Sequence, residues 1–174
     1  GIQKQPKRAP RQNAYPYLRV ANVLRGRLDL AEVYEIELFG NELEKLRLQP
    51  DDLLIVEGNG SQNEIGRCAL WKGEIRDCVH QNHIIRVRFS EMDAAYASHY
   101  LNSPTGIAQM MKAASSTSGL YALSVSKVKS ILFPLPPLAE QRRIVAEVER
   151  RLSVVQELDA TLTVNLARAE RLRQ

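Results

Sequence analysis

Phe133-Pro134-Leu135-Pro136-Pro137-Leu138-Ala139-Glu140-Gln141-Arg142-Arg143-Ile144-Val145 divides the chain, and the residues from there to Gln174 contain no further proline and no glycine. Each proline fixes φ and disfavours helix in the residue before it, so Leu135 is expected to be extended and a helix can begin only at or after Pro137. Beyond that point Leu138, Val145, Val148, Leu152, Val155, Leu158, Leu162, Leu166, Ala169 and Leu172 recur at steps of three, four or seven, with Arg and Glu between them. That spacing predicts an amphipathic helix. Continuous from Ala139 to Arg173, it would span about 50 Å at 1.5 Å per residue, too long to lie wholly across a domain of roughly 130 residues. Part of its apolar stripe therefore calls for a partner, the alternative being a terminal helix packed on its own domain. Asp159 and Asn165 interrupt the stripe and its steps shift near Leu158, so a uniform two-stranded coiled coil is not expected.

The 174 residues, 44% of them hydrophobic, suit one cored domain with an appendage. Lys4, Lys7, Arg8, Arg11, Arg19, Arg25 and Arg27 precede the first acidic residue, a basic block that favours an anionic partner. Two cysteines, no signal peptide and no apolar run near 18 residues point to a cytoplasmic protein without a membrane partner. The expected division is a basic flexible leader over 1–14, a strand-rich domain over 15–136 and a long helix over 137–174.

Within the domain, Tyr15–Val23 reads as extended, with Arg19, Asn22, Arg25 and Arg27 on a polar rim around the turn at Gly26. Tyr34–Leu38 is a short strand, Asn41–Leu48 a helical turn or two, and Leu53–Val56 a buried strand launched by Pro50-Asp51-Asp52. The next loop carries three glycines with Asn59, Ser61, Gln62, Asn63 and Arg67, and can approach a ligand closely. Cys68–Trp71 and Cys78–Val87 are expected to pair as a hairpin across Lys72-Gly73-Glu74, with His80, Gln81, Asn82 and His83 inside the second strand. Met92–Leu101 and Thr105–Ala114 read as helices broken at Asn102-Ser103-Pro104. A polar loop with Ser116, Thr117 and Ser118 leads to Tyr121; a short helix capped by Ser124 and a last strand at Ile131–Phe133 complete an α+β fold with peripheral helices.

Catalytic chemistry finds little support. Cys68, Cys78, His80 and His83 match no zinc-ligand spacing closely, and on a strand His83 faces away from Cys78 and His80. No serine sits in a nucleophile elbow, the Gly58-Asn59-Gly60 loop lacks the Gly-Lys-Ser/Thr ending of a phosphate loop, and no dinucleotide fingerprint follows a strand. The polar loops instead supply the Asn, Gln, Arg, Ser and Thr side chains that read base edges and phosphates, although each could also be a solvated turn.

The order Tyr17-Leu18-Arg19-Val20-Ala21-Asn22-Val23, Asp51-Asp52-Leu53-Leu54, Gly58-Asn59-Gly60-Ser61, Ile65-Gly66-Arg67 and Pro134-Leu135-Pro136-Pro137-Leu138-Ala139-Glu140-Gln141-Arg142-Arg143-Ile144-Val145 resembles the DNA-specificity subunit of type I restriction-modification systems. The last segment is the most specific part. The resemblance implies a non-catalytic target-recognition domain followed by a conserved spacer helix. In the family two such units each read half of a split duplex site, their helices pack antiparallel, and they dock methyltransferase and restriction subunits. It implies no cofactor in this chain, with S-adenosylmethionine and ATP/Mg in the partner subunits. One unit is present here, so a fragment and a half-sized subunit that dimerises through Val145, Val148, Leu152, Val155, Leu158, Leu162 and Leu166 are both open. A non-DNA adaptor that oligomerises through the helix is the competing reading.

Overall fold

The computed structural model describes residues 1–59, 61, 64–117 and 120–171. The chain separates into two compact units, Gly1–Leu135 and Pro136–Gln174. The strands of the first are β1 (Ala14–Leu18), β2 (Tyr34–Glu37), β3 (Leu53–Val56), β4 (Gly58–Asn59), β5 (Cys68–Leu70), β6 (Val79–His80), β7 (Ile84–Val87), β8 (Ser115–Thr117) and β9 (Leu120–Ala122). Its helices are α1 (Glu42–Leu46), α2 (Ala94–Asn102), α3 (Pro104–Ala113) and α4 (Val125–Lys129).

The unbroken apolar run of β3 decides the arrangement. All four of its residues are buried, which requires cover on both faces of its sheet. Leu53 and Ile55 point to a cluster with Cys68, Ile85, Ala97, Leu101 and Met110, so α2 and α3 cover that face. Leu54 and Val56 point the other way, towards Leu18, Val23, Trp71 and Cys78. A third cluster joins Ile2, Tyr17, Ile36, Leu38 and Val79 across the sheet β2-β1-β6. Burial pushes the Tyr17 hydroxyl up to about 12, and it donates to the Ile2 carbonyl at 2.7 Å.

Four expectations are corrected. Cys68–Trp71 and Cys78–Val87 do not form a hairpin: β5 and β7 each pair antiparallel with β3, in the order β5-β3-β7, because the fully apolar strand takes the centre. The second of those stretches is also two strands, since Gln81-Asn82-His83 turns and β6 pairs in parallel with β1. Ile131–Phe133 joins no ladder; the Gln109 carboxamide accepts from Leu132 N and donates to Leu132 O, both at 3.0 Å, where a neighbouring strand would have done so. The leader is packed rather than loose: Ile2 is buried and bridges Gln81, Pro6–Arg8 form a 3-10 turn, and Arg8 holds Glu42 through two bonds of 2.7 and 2.8 Å.

The break between α2 and α3 follows the sequence. Asp93 caps α2 by accepting from Tyr96 N, and Ser103 caps α3 by accepting from Gly106 N, with Pro104 in its first turn. In the second unit α5 (Leu138–Arg171) runs 34 residues, about 50 Å. Glu140 pairs with Arg143, and Glu147 with Arg150 and Arg151, along its polar side. Leu152, Val155, Leu158, Leu162 and Leu166 are exposed. None of the described helices is long and apolar enough to cross a membrane.

Candidate nucleic-acid interface

The strand pairings bring the polar segments to one end of the central sheet. The chain leaves β3 at Glu57, enters β5 from Arg67 and enters β7 from His83; in this antiparallel arrangement all three points share an edge. Because β6 runs parallel to β1, with Leu18 opposite His80, the exits at Arg19 and Gln81 also lie together.

Hydrogen bonds stitch these segments into one rim. Arg67 donates from Nε to Val23 O at 2.7 Å and from Nη2 to Val20 O at 3.0 Å, tying the glycine-rich loop to the turn after β1. Val20 N donates to Gln81 Oε1 at 3.1 Å, which links that turn to the one after β6. His83 Nδ1 stands 3.1 Å from Glu57 Oε2, and Glu57 O accepts from Leu123 N at 2.7 Å. The last segment enters through the sheet β4-β9-β8, where Asn59 lies opposite Tyr121 and Tyr121 opposite Ser116. The stretch expected as a polar loop from Ser115 is thus in part a strand.

The candidate side chains divide into those that face inward and those that reach the surface. Asn22 is buried: Oδ1 accepts from Arg19 N, and Nδ2 donates to the carbonyls of Asp29 and Glu32, each at 2.8 Å. Its capacity goes into shaping the turn, so as a reader it is corrected to scaffold. Arg67 is committed in the same way. His80 is buried with Nδ1 against Gln81 O, and burial lowers its imidazole to about 4, so it stays neutral and inside. Arg19 sits 3.0 Å from Glu32 Oε2 and 3.5 Å over the centre of the Tyr34 ring, which shares its charge with both.

Arg27, Ser61 and His83 are exposed, and Arg25, Gln81, Asn82 and Tyr121 are half-buried. The side chains of Asn59, Ser116 and Thr117 are not described, and Gln62, Asn63 and Ser118 lie outside the described residues. One residue at the centre of the rim was not among the sequence candidates: Glu57, whose only signal was its place at a strand exit. Cys68 and Cys78 are buried thiols raised to about 12 by burial, and among the described residues no cluster of three His, Cys, Asp or Glu could hold a metal.

The motif segments also have structural work. Ile65 is buried, and Gly66 has φ +64 with the position of a Cβ 2.9 Å from Met110 Cβ, so only glycine turns the chain there without displacing the core. Asp52 is fully buried, accepts from Gln49 N and holds Arg88 through bonds of 2.6 and 2.8 Å at the opposite end of the sheet.

A family model described as the type I restriction modification DNA specificity domain matches residues 4–162. The chain is 31% identical over 163 residues to the type I restriction enzyme EcoKI specificity subunit of Escherichia coli (strain K12), covering 92% of this chain and 35% of that protein. It is 26% identical over 166 residues to the StySPI specificity subunit of Salmonella potsdam, covering 93% of this chain and 35% of that one. Its fold is similar to the crystal structure of the HsdS subunit from Thermoanaerobacter tengcongensis, with TM-score 0.62 and 20% identity over 83% of this chain and 37% of the other. The chain spans about a third of the length of these relatives.

Proposed function

This chain belongs to the type I restriction modification DNA specificity family, and from that premise we propose that it is one recognition unit of a specificity subunit, reading one half of a two-part duplex site through the rim. Gly1–Leu135 is the reader and α5 the spacer. Through Val145, Val148, Leu152, Val155, Leu158, Leu162 and Leu166 the helix pairs with a second unit, either another copy or a further segment of a longer chain. The paired units direct methyltransferase and restriction subunits, which hold S-adenosylmethionine and ATP/Mg. The role of this chain is recognition rather than catalysis.

The observation that carries the reading is the convergence of four polar segments, far apart in sequence, on one end of the sheet. Exposed Arg27 and half-buried Arg25 supply positive charge there, and Asn82, His83 and Tyr121 supply groups suited to base edges. Two rods of about 50 Å side by side would set two readers apart by on the order of 15 base pairs at 3.4 Å each.

Salt-titrated anisotropy on a labelled duplex carrying a random central segment tests the reading. Affinity should fall steeply with salt, and Arg27→Ala should reduce the slope of log K against log salt by about one, evenly across sequences. Salt-independent binding, or none, would sink the recognition role and leave the non-DNA adaptor.

A further inference from the structure

Glu57, His83 and Asn82 form a hydrogen-bonded chain on the rim. A carboxylate only accepts, so His83 Nδ1, 3.1 Å from Glu57 Oε2, carries its proton on that side. In the tautomer that carries its one proton on Nδ1, Nε2 is an acceptor, and it faces Asn82 Nδ2 at 3.3 Å. This order fixes which way round the Asn82 carboxamide lies. One of its N–H groups is engaged by His83. The other N–H and Oδ1 meet no further protein group among the described residues.

A carboxamide that presents one donor beside one acceptor complements the major-groove edge of adenine, which offers the N6 amino donor beside the N7 acceptor. Guanine offers two acceptors there, thymine an acceptor beside a methyl group, and cytosine a lone donor. A carboxamide turned end for end would set donor against donor. On the premise that this rim reads DNA, we infer that Asn82 reads one adenine of the recognition sequence, and that His83 and Glu57 are positioning residues that hold its amide in the orientation adenine requires.

The test is selection of duplexes from a randomised library by the purified chain, followed by affinity measurements on the selected site. The wild-type chain should select a motif with an A·T pair whose preference Asn82→Ala lowers about ten- to a hundredfold, with the other positions unchanged. Replacing that adenine by 7-deazaadenine, which lacks the N7 acceptor, should cost the wild type a comparable factor and cost Asn82→Ala nothing more. The modified duplex needs only the wild-type protein, so the assignment stays testable if the variant does not fold. Glu57→Ala should weaken discrimination at the same base pair and leave the salt slope intact, whereas a merely structural role would lower affinity for all sequences alike. A wild-type chain that selects no sequence overturns the recognition reading and this assignment with it. A selected motif that Asn82→Ala reads unchanged, or a loss spread evenly over all positions, overturns the assignment alone.

Discussion

His80 is held neutral by burial, and that has a consequence for stability. Its folded value of about 4 lies below the ordinary 6.5, so between those limits the unfolded chain takes up a proton that the folded chain refuses. The stability His80 permits is therefore complete above pH 6.5 and falls as pH drops towards 4, by about 3 kcal/mol in all. The His80→Gln variant should show a flatter stability curve over that window in urea titrations at several pH values; a wild-type-minus-variant difference independent of pH would refute the assignment. Glu42 loses its bond to Arg8 in a separate window, below its ordinary 4.5 and towards about 2, so the two effects can be resolved. At this scale residue chemistry was readable in the sequence but commitment was not. Asn22, Arg67 and His80 have the same composition signal as Arg27 and Asn82. Only the fold shows that the first three spend their polar atoms on nearby backbone carbonyls and amides.

Elements were readable where local signals agree, and pairings were not. Capping residues and prolines placed α2, α3 and α4 within two residues, and four consecutive apolar side chains placed β3. The partners of β5 and β7 depend on which strand is buried on both faces, a property of the whole sheet that a turn sequence such as Lys72-Gly73-Glu74 does not encode. The α2–α3 corner gives a sharp test of packing. A Cβ at Gly106 would overlap the Tyr100 carbonyl oxygen and lie 2.6 Å from Leu101 Cα, and both are backbone atoms that cannot rotate away. Gly106→Ala should then destabilise by about 1–3 kcal/mol in chemical denaturation despite the better helix propensity of alanine. Thr105→Ala, at the exposed neighbouring position, should stay within about 0.5 kcal/mol. Equal stabilities for the two variants would mean that the corner has room to relax.

Among the described residues, the three apolar clusters of the first unit are drawn from Ile2 to Phe133. The helix in turn has ion pairs along its polar side but exposes Leu152, Val155, Leu158, Leu162 and Leu166, a stripe interrupted at Asp159. An isolated helix of this length with an open apolar stripe gains most from a second helix laid along it, and the interruption favours one partner geometry over a featureless coiled coil. A chain ending after Arg151 keeps about 20 Å of helix and loses all of that stripe. It should unfold at the same temperature as the full chain within a few degrees, since the clusters are untouched, while sedimentation should show loss of self-association, or of assembly with the methyltransferase, at concentrations where the full chain pairs. Leu158→Asp and Leu162→Asp in the full-length helix should reproduce that loss without shortening it. A truncated chain that still pairs would place the contact surface on Gly1–Leu135 and leave α5 as a spacer with no pairing role, whereas a large drop in melting temperature would show that the reader depends on its helix.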